Sequence, residues 1–184
     1  ALAPVIGVIL PGASSAIQKT KTNKIGVIAT QASIRSDEYH KTIARKSSAV
    51  EVYSLACPKF VSIVESNEME SEIARKVVSE SLVPLIGKVD TLILGCTHYP
   101  LLRSLIQETM GKEVRLIDSG AEAVRDISVL LNYFSINGQE RQPLEHRFYT
   151  TAGVNSFREI AEKWLNIGQL QIEHTEIENF NKEK

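Results

Sequence analysis

The sequence predicts an α/β fold built on a mainly parallel sheet flanked by helices. Three observations carry that expectation. Short apolar runs rich in β-branched residues alternate with longer segments of helical period. The connections between them are short, as in repeated strand-helix units. Strand candidates such as residues 25–29 and 92–94 are continuous apolar runs, which fits a sheet covered on both faces.

The elements follow in chain order. Residues 24–30 (KIGVIAT) read as a buried strand and residues 31–46 as a helix with one polar face. Residues 50–56 form a second strand, halted by Cys57-Pro58. A long helical pattern spans residues 68–86, with Ile73, Val77, Leu82 and Leu85 on its inner side and Gly87 at its C-terminal cap. Pro84 sits late in that pattern, where it ends or kinks the helix. Residues 91–95 are a third strand, 100–110 a helix, 114–117 a fourth strand and 121–134 another helix. The polar stretch 137–143 is an exposed loop. A strand (147–151), a helix (155–165, capped by Asn155 or Ser156) and a last strand (170–174) complete the pattern. The tail 179–184 should fray. Trp164 is expected to pack.

Composition narrows the function classes. The 184 residues are 43% hydrophobic and 23% charged, as in ordinary globular domains. A formal charge of −1, with Lys and Arg dispersed, gives no basic field for nucleic acid or anionic lipid. No apolar run is long enough to span a bilayer, so no membrane partner is expected. The apolar opening is interrupted by Pro4, Gly7, Pro11 and Gly12 and has no basic leader, so a signal peptide is not expected. Two cysteines, Cys57 and Cys96, make neither a disulfide scaffold nor a zinc pattern, and a reduced, cytoplasmic setting follows.

Ligands of open parallel sheets bind at the carboxyl ends of strands, which leaves three places to compare. One is Thr30-Gln31-Ala32-Ser33, a hydroxyl pair straddling a strand-to-helix turn. Another is Cys57-Pro58, followed by Glu65. The third, Gly95-Cys96-Thr97-His98-Tyr99-Pro100, carries the most chemistry. Gly95 permits a tight turn, and Pro100 suits the first helical position, so Cys96, Thr97 and His98 fall just before a helix N-terminus. A thiol there, beside a histidine, is suited to proton transfer or nucleophilic attack. Thr97 offers a hydroxyl to a carboxylate, and His98 is a proton partner. Cys57, with no adjacent histidine and a proline after it, reads as a structural thiol. Cys96 and His98 alone do not close a metal site. His40, His146 and His174 read as surface or satisfied histidines, and Glu65, on composition, as a surface carboxylate.

The block Leu94-Gly95-Cys96-Thr97-His98-Tyr99-Pro100 closely resembles the second catalytic motif of glutamate racemases. Further blocks resemble the same family in the same order. Val5-Ile6-Gly7-Val8-Ile9-Leu10-Pro11-Gly12-Ala13 looks like its strand after the first catalytic motif. Ile25-Gly26-Val27-Ile28-Ala29-Thr30 with Ser33-Ile34 looks like its threonine-rich turn, and Leu55-Ala56-Cys57-Pro58-Lys59-Phe60-Val61, Val64-Glu65-Ser66 and Ile117-Asp118-Ser119 match later blocks. The resemblance implies an enzyme that inverts glutamate without a cofactor, one cysteine removing the α-proton and another delivering a proton from the opposite face. Cys96 matches the cysteine acting on the L-glutamate face. His98 matches a position that binds substrate or assists proton transfer, Glu65 a supporting carboxylate, Thr97 a substrate-binding position, and Thr30 and Ser33 hydroxyls near the substrate carboxylate. Cys57 matches a position with no catalytic role. L- and D-glutamate are then the ligands, the product serves bacterial peptidoglycan, and a homodimer is expected at full length.

The family's other cysteine motif, a cysteine followed by Asn-Thr, does not occur in these 184 residues. The chain is therefore expected to be N-terminally incomplete and inactive alone. By analogy, residues 7–118 are the second α/β domain, and residues 1–6 and 119–184 belong to the first. Three other readings are compatible with the residues: a racemase of aspartate or a related acid, a thiol hydrolase or transferase, and a non-catalytic anion-binding module.

Overall fold

The computed structural model describes residues 5–136 and 146–176. The expected loop at 137–143 and the tail at 179–184 lie outside the described residues. The chain divides into two compact units, residues 1–137 and 138–184.

The first unit holds a four-stranded sheet made of β1 (Lys24–Ala29), β2 (Glu51–Ala56), β3 (Thr91–Leu94) and β4 (Arg115–Asp118). Its order is β2-β1-β3-β4, and all three pairings are parallel. The continuous apolar strands explain why both faces are covered. Ile25, Val27, Ile93 and Ile117 point to one side, where they pack with Ala13, Ala16, Tyr39 and Ile43. Ile28, Leu92, Leu94 and Leu116 point to the other, against Phe60, Val64, Val78, Leu82, Leu102 and Ile106. Successive strand residues alternate between faces, so a wholly apolar strand feeds two cores.

Several helices depart from the sequence reading, each for a local reason. The segment matched to a strand at residues 5–13 enters helix α1 (Ile9–Lys19) instead. Pro11 is tolerated there because it lies in the first turn, whose N–H groups have no helical acceptor. Gly12, Ala13 and Ala16 form the buried stripe. The helix expected over 31–46 is two, α2 (Gln31–Ser36) and α3 (Glu38–Lys46), broken at Asp37, whose φ is 59°. A short helix, α4 (Lys59–Glu65), was not anticipated although Phe60, Ile63 and Val64 carry its i, i+3, i+4 pattern.

The long helix starts later than expected. In α5 (Glu72–Leu82), the Ser71 side chain caps the end by accepting from the Ala74 amide. That start places Ala74, Val78 and Leu82 inside and leaves Ile73 largely exposed. Pro84 falls in a 3-10 turn, Val83–Leu85, so it ends the helix as anticipated. The helix expected at 100–110 opens with a 3-10 turn, Tyr99–Leu102, before α6 (Arg103–Met110). The Asp118 carboxylate caps α7 (Ser119–Tyr133), accepting from the Gly120 and Ala121 amides.

At the amino end of β3, Asp90 ties down the turn between α1 and β1. It accepts from the Thr20 hydroxyl at 2.6 Å and from the Lys21 and Thr22 amides at 2.6 and 2.8 Å. Burial pushes the carboxyl up, but the hydrogen bonds from Thr20, Lys21 and Thr22 outweigh it and bring the pKa down to about 2. A lowered folded-state pKa stabilises above the unfolded value of about 3.9 and is lost as pH falls toward the folded value. Asp90→Asn is expected to cost about 1–2 kcal/mol at pH 7, after allowance for partial exposure. The gap from wild type should narrow between about pH 4 and pH 2. Urea unfolding across that range checks it, and a pH-independent gap would contradict it.

The second unit pairs β5 (Arg147–Thr150) and β6 (Gln171–His174) in parallel, connected through α8 (Val154–Leu165). Ala161, Leu170 and Ile172 make its small core, with Phe148, Val154 and Phe157 packed beside them. The N-cap of α8 is Gly153 and no side chain caps it, contrary to the Asn155 or Ser156 expectation; both residues lie inside the helix. Trp164, expected to pack, is half exposed. Among the described residues, no helix is long and apolar enough to cross a membrane.

Candidate active site

The sheet order contains one reversal. The chain adds β2 on one side of β1, then crosses over to place β3 on the other. Crossovers that leave in opposite directions open a crevice at the carboxyl ends of the two central strands. Here those strands are β1 and β3, so the crevice lies between the Thr30 turn and the Gly95-Cys96 turn.

The two turns are joined directly. The Gly95 amide donates to the Ile28 carbonyl at 2.8 Å. A side chain on Gly95 would come within 2.9 Å of that same oxygen and 3.2 Å of the Ala29 Cβ. Only glycine lets β3 run this close to the end of β1. At the β1 end, Thr30 caps α2: its Oγ1 accepts from the Ser33 amide at 3.2 Å and lies 3.0 Å from the Ser33 hydroxyl.

At the β3 end, the Cys96 Sγ lies 3.8 Å from the His98 Nδ1, and the Thr97 Oγ1 lies 3.3 Å from the same nitrogen. The other ring nitrogen, Nε2, sits 3.4 Å from the Glu65 carboxylate at the end of α4. Thiol, imidazole and carboxylate thus form a chain. A carboxylate at one ring nitrogen orients the imidazole and leaves the other nitrogen facing the sulfur, within reach for a proton exchange. Cys96 and His98 are half-buried, while Thr97 and Glu65 are exposed.

Four of the residues singled out from sequence, Cys96, Thr97, His98 and Glu65, therefore come together. Thr30 and Ser33 pair with each other at the carboxyl end of β1. The expectation that an α-helix starts immediately after His98 is corrected. The Tyr99 and Leu101 amides close a 3-10 turn onto the Cys96 and His98 carbonyls, and α6 begins only at Arg103.

Cys57 behaves as the sequence suggested. It is buried, and burial pushes its thiol up to about 12. Two buried tyrosines escaped the sequence reading. Tyr99, next to His98, donates to the Cys57 carbonyl at 2.9 Å and stacks edge-on against Phe60. Tyr39 donates to the Ser119 hydroxyl at 2.9 Å. A tyrosine at the start of the buried Tyr39, Thr42, Ile43 stripe was the available signal for the second. Among the described residues, no group of three or more His, Cys, Asp or Glu side chains is placed to hold a metal ion.

Comparison with known proteins agrees with the motif blocks. Residues 1–127 match the family model described as Asp/Glu/Hydantoin racemase. A glutamate racemase of Lactococcus lactis subsp. cremoris is 90% identical over 181 residues, covering 98% of this chain and 67% of that protein. One of Streptococcus gordonii is 63% identical, covering 95% and 66%. Among solved structures, a glutamate racemase of Bacillus anthracis superposes with a TM-score of 0.88 at 41% identity, over 96% of this chain and 66% of that one. The chain spans about two thirds of the length of the relatives it matches.

Proposed function

Because the chain belongs to the Asp/Glu/Hydantoin racemase family, we propose that it is the larger part of a glutamate racemase that interconverts L- and D-glutamate without a cofactor. The observation that carries the reading is the Cys96 thiol at the sheet's reversal, within reach of an imidazole braced by a carboxylate.

The α-proton of an amino acid is very weakly acidic, so its removal needs an oriented base and a site that tolerates carbanionic charge. In this reading Cys96 as thiolate takes the α-proton from the L-glutamate face. His98 holds or passes that proton, and Glu65 fixes the orientation of its ring. Thr97, Thr30 and Ser33 donate hydroxyl hydrogens to the substrate carboxylates. Inversion needs a second acid on the opposite face, and Cys57, buried with a pKa of about 12, does not suit that task. The 184-residue chain is accordingly expected to be inactive alone, the opposing thiol belonging to sequence outside it. Residues 7–118 then form the enzyme's second domain, with residues 1–6 and 119–184 part of the first. The proposed setting is a homodimer in the bacterial cytoplasm, supplying D-glutamate to peptidoglycan.

The test is α-deuterium incorporation into L- and D-glutamate in heavy water, using a protein of the relatives' length beside the 184-residue chain. Exchange with inversion in the longer protein alone supports the proposal. Exchange with aspartate but not glutamate would replace it with an aspartate racemase. A covalent acyl adduct on Cys96 would replace it with thiol transfer or hydrolysis.

A further inference from the structure

We propose that Tyr39 is a positioning residue for the Cys96 turn, acting through its hydrogen bond to Ser119. The inference rests on the reading of Cys96 as the proton-transferring thiol.

Tyr39 stands at the start of α3, on the sheet face opposite α4–α6. Its side chain is 6% exposed, and its hydroxyl donates to the Ser119 Oγ, 80 positions away, inside the protein. The ring also meets the turn that carries the thiol. A Cβ on Gly95 would lie 3.0 Å from the Tyr39 Cε2, so the ring edge occupies the space into which the residue before Cys96 would otherwise move. The Ile28 carbonyl and Ala29 Cβ close the other directions. The turn is boxed in on three sides, and Tyr39 is the one wall made by a rotatable side chain.

That wall needs an anchor, and Ser119 supplies it. A Cβ on Gly12 would fall 2.2 Å from the Ser119 Oγ, so α1 presses against the serine from behind. Ser119 itself is 3% exposed at the start of α7, where Asp118 caps the helix. The acceptor is therefore held by two helices, and the phenol is held by the acceptor. Burial raises the Tyr39 pKa; the Ser119 bond acts against this, and the nearby Cys96 and Asp118 add to it. The phenol stays neutral and remains a donor wherever the enzyme would work. Any tyrosine could satisfy its hydroxyl within a core. This one bridges the ends of β3 and β4 and abuts the residue preceding the thiol. Displacements of about 1 Å at a reacting atom cost on the order of a hundredfold in rate, so bracing of this kind bears on chemistry.

The test follows the alkylation of Cys96 by iodoacetamide in the folded chain, read by peptide mass spectrometry, with buried Cys57 reporting general opening. Tyr39→Phe and Ser119→Ala should each raise the Cys96 rate about three- to tenfold, the range that one ordinary hydrogen bond holds back. The double variant should show no more than either single one, because both remove the same bond. Cys57 should stay unreactive throughout. Rates within twofold of wild type, additive effects, or Cys57 reacting in step would each overturn the proposal. In a racemase of the relatives' length, Tyr39→Phe should lower kcat about tenfold and leave KM within twofold, as loss of transition-state alignment does. An equal rise in KM with kcat unchanged would also overturn it. Alkylation requires no turnover, so absence of glutamate exchange in the wild type would sink the racemase reading and leave this test standing.

Discussion

Replacing Cys96 by alanine is expected to lower glutamate racemisation about a thousandfold in a protein of the relatives' length, within the span that a positioned acid or base contributes. Cys57→Ala should change it less than about threefold at temperatures where the variant is folded. The contrast follows from where the two strands end. Cys96 is half-buried at the reversal of the sheet, 3.8 Å from an imidazole nitrogen whose ring is held by Glu65. Cys57 lies behind Tyr99 with its thiol pushed up to about 12, where thiolate is scarce at neutral pH. Exchange at the α-carbon should become one-sided in the Cys96 variant, because only the thiol on the other face remains. Initial rates in both directions, with deuterium content of each enantiomer, measure this. Two-sided exchange in Cys96→Ala at near wild-type rates would remove Cys96 from the reaction.

Phe60→Ala is expected to destabilise the first unit by about 3–5 kcal/mol, the usual range for deleting a fully buried phenyl ring. Phe60 has no exposed surface and meets Tyr99 edge to face, with centroids 5.2 Å apart and planes at 65°. Both lie in the core formed by α4, α5 and α6 on one side of the sheet. The void would open directly behind the site, since Tyr99 follows His98 and its hydroxyl is tethered to the Cys57 carbonyl. Urea unfolding followed by circular dichroism reads the loss. A decrease below about 1 kcal/mol would mean that neighbouring side chains collapse into the space.

The sheet was legible in the sequence because its signal is strong and local. Runs such as Leu92-Ile93-Leu94 have no polar position and end in Gly95, and each expected strand in residues 24–117 appears within a residue or two. Helix boundaries were less legible, for identifiable reasons. The break at Asp37 depends on a left-handed backbone conformation that aspartate tolerates but does not announce. In α1, a proline and small residues resemble a strand's end until their packing against Ser119 is seen. The 3-10 turn at Tyr99 follows from a buried tyrosine reaching across to the Cys57 carbonyl, a tertiary contact with no local trace. The Cys96, Thr97, His98 cluster was legible because its members are consecutive. Glu65 was recovered from motif resemblance and not from its surroundings in the chain. Tyr39 and Ser119 stand 80 residues apart, and no spacing rule connects them.

The reversal of the sheet also has a consequence for chain entropy. Ile25 pairs with Val52 on one side and with Thr91 on the other, 27 and 66 residues along the chain. Closing the larger loop costs only about 0.8 kcal/mol more, because the penalty grows with the logarithm of length. That is less than the burial of one valine side chain contributes. The two turns that face the crevice are thus held by strand pairing and packing, with little dependence on how much chain runs between them. Lengthening or shortening an exposed connection between β2 and β3 leaves the distance from Thr30 to Cys96 untouched, and the surroundings of the site can diverge while its geometry stays put.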